Sequence, residues 1–119
     1  MKRILYVEDD EAVATLVREI LQKEGLQTEI AKNAKECFKM IKKEKYDLLL
    51  IDIMLPDMSG WELHNKLMEK NLKTKYAFIS VLPMPKEEGK DLRKIGISDY
   101  INKPFEEKDL LQRIKNILN

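Results

Sequence analysis

Apolar residues along this chain fall alternately into short continuous runs and into helically spaced stretches. The continuous runs lie at Ile4–Val7, Thr28–Ala31, Leu48–Ile51, Ala77–Ser80 and Tyr100–Ile101, each short enough to be a strand. A helical pattern follows each of them. In the first, Val13, Leu16, Val17, Ile20 and Leu21 recur at helical spacing, with Asp9 or Asp10 available to cap the start and Gly25 to end it. The second begins at Asn33, with Glu36 three residues on as in a capping box, and is expected to bury Cys37, Phe38 and Ile41. A third starts at Gly60 or Trp61 with Leu63 and Leu67 inward, and the last runs from about Glu106 with Leu110, Ile114, Ile117 and Leu118. The fourth, Lys86 to Ile95, is weak. It carries Gly89 in its interior and offers only Leu92 and Ile95 to a core, so its intrinsic stability is low.

Strands that alternate with helices and lack hairpin signals imply right-handed crossovers and a parallel sheet covered by helices on both faces. Periodicity does not reveal the strand order. It does reveal where the acids sit: Asp52 follows Leu48–Ile51, and Glu8-Asp9-Asp10 follows Ile4–Val7. If those strands are neighbours, three or more carboxylates gather at the C-terminal ends of the sheet, where open α/β sheets place their ligands. Such a cluster repels itself unless a cation occupies it. Hard carboxylate oxygens suit Mg2+ or Mn2+, and a shell shared with water suits Mg2+ acting with a phosphate. A dinucleotide or flavin phosphate site is disfavoured, because the turn after the first strand carries acids instead of a glycine-rich loop.

At 119 residues with 44% hydrophobic content, the chain is expected to form one domain over residues 1–119. Its 22 basic and 21 acidic residues are interspersed, so neither a direct nucleic-acid footprint nor a polybasic membrane patch is expected. Cys37 stands alone and cannot form an intrachain disulfide, and no signal peptide or membrane-spanning apolar stretch is evident. The expected location is the cytoplasm. The sequence ends directly after a helical pattern, so output is expected through a separate partner.

Glu8-Asp9 after the first strand, Asp52 after the third, Pro56 and Gly60 in the next loop, Ser80 ending the fourth and Lys103-Pro104-Phe105 after the fifth occur in this order. Together they resemble the receiver domain of two-component response regulators, of the single-domain, chemotaxis-regulator-like kind. The resemblance covers essentially the whole chain. It implies a flavodoxin-like, doubly wound five-stranded parallel sheet of order 2-1-3-4-5 with five helices, and a site that takes a phosphoryl group from a histidine kinase or phosphotransfer protein.

The roles it implies can be carried over residue by residue. Asp52 would be the nucleophile that becomes an acyl phosphate. Asp9 and Asp52 would ligate Mg2+ directly, Glu8 through water, and the Met54 backbone carbonyl would supply a further oxygen. Lys103, placed by a Lys103–Pro104 bond that resembles the family's cis peptide, would neutralise one phosphoryl oxygen, and Ser80 would donate its hydroxyl to another. Tyr100 would be the switch aromatic, turning inward as Ser80 moves and so changing the surface of the fourth helix, fifth strand and fifth helix for a downstream protein. Such a module catalyses only its own phosphotransfer and its own slow dephosphorylation. In receivers the positions of Met54 and Leu82 stand over the approach of the hydrolytic water, and two large apolar side chains there imply a long-lived phosphate.

Each residue alone has a plainer reading. Asp9 or Asp10 serves as an N-cap, Asp52 as a loop acid, Lys103 as a solvated lysine, Ser80 as a strand end and Tyr100 as a static aromatic. His64 reads as exposed, and Cys37 as core. Three features depart from the family pattern: Val81 stands where a small residue is common and is expected to narrow access, Leu82-Pro83-Met84-Pro85 replaces short polar residues, and Ile97 is expected to add core volume. Two alternatives remain. A receiver-like module that works without phosphorylation is opposed by intact Asp9, Asp52 and Lys103. A haloacid-dehalogenase-like phosphatase would need a second Asp where Met54 stands.

Overall fold

Five strands and four helices alternate through the described part of the chain, residues 1–84 and 91–119 of a computed structural model: β1 (Arg3–Val7), α1 (Glu11–Lys23), β2 (Gln27–Ala31), α2 (Ala34–Lys43), β3 (Leu48–Asp52), α3 (Gly60–Met68), β4 (Lys75–Ser80), β5 (Ile97–Asn102) and α4 (Glu107–Leu118). All pairings are parallel and the order is β2-β1-β3-β4-β5, the flavodoxin-like arrangement. Alternation along the buried strands divides the core. Tyr6, Leu50, Ile79 and Ile101 pack under Val17, Leu21, Leu110 and Ile114 of α1 and α4, while Leu5, Leu49, Ile51 and Phe78 pack under Cys37, Leu63 and Leu67 of α2 and α3. Both faces of the sheet are therefore covered, as near-continuous apolar strands require.

Local signals set the helix ends. Asp10, of the two aspartates available, accepts the Val13 N–H at 3.1 Å, and Asn33 accepts that of Glu36 at 2.8 Å. The capping box is incomplete, because Glu36 reaches the N–H of Lys32 instead of Asn33. α1 closes in a Schellman motif, with Leu26 N–H bonded to Leu21 C=O, Gly25 N–H to Gln22 C=O, and Gly25 at φ +78°. Leu16, expected inward, is 52% exposed, since Ala14, Val17, Ile20 and Leu21 already define the buried stripe. Phe38 and Ile41 are only partly buried, at the margin of the stripe that Ala34 and Cys37 bury.

Four helices, not five, lie among the described residues. The expected fourth helix, over Lys86 to Ile95, lies outside them in its first half, residues 86–90. Its described remainder ends as helices do, with Ile97 N–H bonded to Leu92 C=O, Gly96 N–H to Arg93 C=O, and Gly96 at φ +89°. Ile97, expected to add core volume beside the fifth strand, is its first residue and is 1% exposed in the core.

Candidate functional site

Register decides what meets at the C-terminal edge of the sheet. Val7 pairs with Ile51, Asp52 with Ile79 and Ser80 with Asn102, so the residues at or just past these positions share one rim. Asp52 is the last residue of β3 and is 5% exposed, and Glu8, one residue beyond β1, is 2% exposed. Gly60 permits the return of the chain beneath them: a Cβ there would lie 2.7 Å from Asp52 O and 2.8 Å from the Ile53 Cα, and its N–H bonds Ile53 C=O at 2.8 Å.

Lys103, carried past β5 on a cis Lys103–Pro104 bond, reaches into this rim. Its ammonium donates to Glu8 Oε1 and, at 2.7 Å, to Asp52 Oδ2. Met54 N–H donates to Asp52 Oδ1 at 2.9 Å, and Asp10 N–H to Glu8 Oε2 at 3.2 Å. Tyr6 supplies a further donor, its hydroxyl lying 2.7 Å from Glu8 Oε1. Burial draws the Asp52 carboxyl above the usual carboxylate range, against the opposing pull of Lys103 and the Met54 amide. Burial acts the same way on Glu8, yet the bonds from Lys103, Tyr6 and Asp10 together hold its carboxyl below that range. Burial alone would lower the pKa of Lys103, but its two carboxylate partners raise it, so the ammonium is charged.

Glu8, Asp9 and Asp52 each present a carboxylate oxygen, and these oxygens all lie within 4.8 Å of one another. Among the described residues, three acids against one ammonium leave net negative charge on hard oxygen donors, which fits a small divalent cation such as Mg2+. Asp9, the exposed member, bears no shared bond with Lys103.

Ser80 is fully buried, and its Oγ accepts Leu82 N–H at 3.1 Å. Tyr100 lies inward, 7% exposed, with its hydroxyl donating to Leu82 C=O at 2.8 Å. Asn102 Nδ2 donates to the same carbonyl at 3.0 Å, so two side chains of β5 hold the loop after β4. On these loops Met54, Val81, Leu82 and Met84 remain exposed by 55%, 60%, 42% and 44%.

Glu8, Asp9, Asp52 and Lys103 meet at this rim, Met54 and Ser80 lie beside it at the ends of β3 and β4, and Tyr100, expected to turn inward, is already inward and reaches the rim loop through the Leu82 carbonyl. Two further participants were missed. Tyr6 reads as one more apolar residue of β1; a phenol two positions before the first acid, on the same side of a period-two strand, was the available signal. Asn102 had none beyond its place next to Lys103. One residue needs correction. His64 is not exposed but 1% exposed, because Gly60, Leu63, His64 and Leu67 share the buried stripe of α3. It packs edge-on against Tyr76 and Phe78, with ring centroids 5.0 and 6.0 Å away, and its Nε2 has no hydrogen-bond partner among the described residues. Cys37 is core as expected, its thiol pushed up to about 12 by burial and the nearby Asp57 charge.

The model of the response regulator receiver domain matches residues 4–115. Among curated proteins, the transcriptional regulatory protein RprY of Bacteroides fragilis is 38% identical over 116 residues, covering 98% of this chain and 49% of that protein. The chain spans about half the length of the curated relatives it matches. Among solved structures, a CheY-like receiver domain protein from Methanospirillum hungatei is 37% identical with a TM-score of 0.89, over 99% of this chain and 94% of that one. The response regulator TrrA of Thermotoga maritima, solved in complex with Mg2+-BeF, is 30% identical with a TM-score of 0.85, over 99% and 100% of the two chains. No helix among the described residues is long and apolar enough to cross a membrane.

Proposed function

This chain belongs to the response regulator receiver domain family, and from that premise we propose that it is a phosphorylation-controlled signalling module whose acceptor is Asp52. The observation that carries the reading is the convergence of Glu8, Asp9 and Lys103 on one buried aspartate at the C-terminal edge of the sheet. A carboxylate oxygen of Asp52 attacks phosphorus in line with the phosphohistidine P–N bond. That bond breaks, its electron pair leaves with the imidazole, and an acyl phosphate remains. Lys103, already 2.7 Å from Asp52 Oδ2, shifts its ammonium to a phosphoryl oxygen. Ser80 stands across the rim with a hydroxyl proton to donate to another. Asp9 and Asp52, the Met54 carbonyl, and Glu8 through water would hold Mg2+, which when bound neutralises charge spread over the phosphoryl oxygens. Positioning and electrostatics thus do most of the catalysis.

Output follows from the contacts of Ser80. Its Oγ accepts from Leu82, and the Leu82 carbonyl is held by Tyr100 and Asn102. Recruiting Ser80 to the phosphate pulls on this loop, and through it on β5. On this reading residues 1–119 form one receiver domain that works in the cytoplasm, with a sensor histidine kinase or phosphotransfer protein upstream and a protein target downstream. It turns over no external phosphate ester, since Met54 stands where a second acid would be needed. Incubation with Mg2+ and acetyl phosphate, followed by intact mass, should show one added phosphoryl group in the parent and none in Asp52→Asn. A phosphoryl gain that persists in Asp52→Asn rejects the assignment.

A further inference from the structure

Each oxygen of Glu8 is already engaged. Oε1 accepts from both Tyr6 and Lys103, and Oε2 accepts from the Asp10 amide. The two donors on Oε1 differ in kind. Lys103 is a flexible side chain that the proposed reaction reassigns to the phosphoryl group. Tyr6 is a fully buried ring packed beneath α1 and α4 in the core run Ile4–Val7, and its hydroxyl stays where the strand puts it.

We propose that Tyr6 is a specificity-determining residue of the acid pocket, which by holding Glu8 back from direct ligation favours Mg2+ over Ca2+. The inference rests on the reading of Glu8, Asp9 and Asp52 as the Mg2+ site. Its physical basis is the difference between the two ions. Mg2+ gives up water reluctantly and is satisfied by one or two direct carboxylates with hydrated remainder, whereas Ca2+ takes six to eight oxygens and exploits a carboxylate that can swing in. A Glu8 pinned at Oε1 by a rigid phenol would accept a hydrogen bond from a water on a bound ion but would not turn both oxygens toward it. Partners of this kind tune metal sites although they touch no metal. Tyr6 is a positioning residue that acts through Glu8.

Calorimetric titration of the full chain with MgCl2 and, separately, with CaCl2 tests this. In Tyr6→Phe the Mg2+-to-Ca2+ affinity ratio should fall by about tenfold, the lower end for loss of such a partner, chiefly because Ca2+ binds more tightly. In a Glu8→Gln background the same change should leave the ratio where it was, since no carboxylate remains to be released. Tyr6→Leu, which matches the aliphatic neighbours in β1, removes the hydroxyl a second way if Phe is not accommodated. The proposal is overturned if both affinities fall in parallel, if the ratio moves by less than about twofold, or if it moves equally in the Glu8→Gln background. A parent that binds Mg2+ while the variants keep its ratio defeats the Tyr6 proposal alone. A parent that binds neither ion defeats the metal-site reading, and the proposal with it.

Discussion

Lys103→Met should destabilise the metal-free protein at pH 7 by about 3 kcal/mol. Among the described residues the ammonium is the one positive group shared by two buried acids: the Lys103 side chain is 12% exposed, that of Glu8 2% and that of Asp52 7%. Breaking such a buried pair by removing one partner costs roughly 3–5 kcal/mol, because a charge is left without compensation. The lower end applies, since Tyr6, Asp10 and Met54 still donate to the acids and Asp52 is already drawn toward protonation by burial. Methionine keeps the length and apolar stem of lysine, so the change isolates the charge. About 3 kcal/mol corresponds to a fall in Tm of roughly 10 °C for a domain of this size. The deficit must also depend on pH. Without Lys103 the folded-state pKa values of both acids rise above their unfolded values, so the folded variant binds the extra protons. Its stability then falls as pH rises through those folded values, and the deficit is largest near neutrality and shrinks toward pH 4. Mg2+ should restore much of the loss, because a ligand bound only by the native state at a hundredfold excess over its Kd adds about 2.7 kcal/mol. Urea unfolding of parent and variant at pH 5 and 7, with EDTA and with Mg2+, measures all three effects. A variant as stable as the parent in EDTA at pH 7, or a deficit unchanged at pH 5, refutes the reasoning.

Gly60→Ala places a Cβ 2.7 Å from a backbone oxygen that cannot give way, so a loss of about 1–3 kcal/mol in urea unfolding and slower labelling of Asp52 by acetyl phosphate are expected. Unchanged stability would contradict the close approach of α3 to β3. Burial pulls the His64 pKa below its ordinary value, so between the folded and unfolded values the unfolded chain binds more protons. The parent should keep its full stability above about pH 6.5 and lose up to about 1.4 kcal/mol per pH unit as the pH falls, while His64→Phe should flatten that slope; equal slopes in denaturation curves from pH 7 to 5 count against it. Met54→Asn combined with Leu82→Ser should speed loss of the acyl phosphate by about tenfold, or ~1.4 kcal/mol in the barrier, by opening the in-line approach to water. A phosphate half-life equal to the parent's, followed by intact mass, would show that these exposed side chains do not shield it.

Much of this protein is written in local pattern. Five apolar runs became five strands, with ends moved by one to three residues, because a buried parallel strand needs only a short continuous apolar stretch. The acids sit at strand ends in the sequence itself, so Glu8, Asp9 and Asp52 were identifiable before any geometry was known, while Lys103 was identified through the family resemblance that Lys103-Pro104-Phe105 helps to carry. What local pattern could not supply are relations between residues far apart along the chain, which were foreseen only through the family resemblance. Lys103 meets partners 95 and 51 positions away, and only the order β2-β1-β3-β4-β5 with its register brings them to one rim. Asp57, an ordinary loop acid to the eye, caps α2 from 23 positions away by accepting the Ala34 and Lys35 amides at 3.0 Å. Leu16 and His64 exchanged their expected environments because helical spacing gives a stripe but not its width; the sheet beneath α1 and α3 decides which flank of the stripe is covered. The Tyr6 hydroxyl is the clearest case. Composition and period make it one more core aromatic, and only the placement of Glu8 just beyond the end of the same strand turns a buried phenol into part of the site.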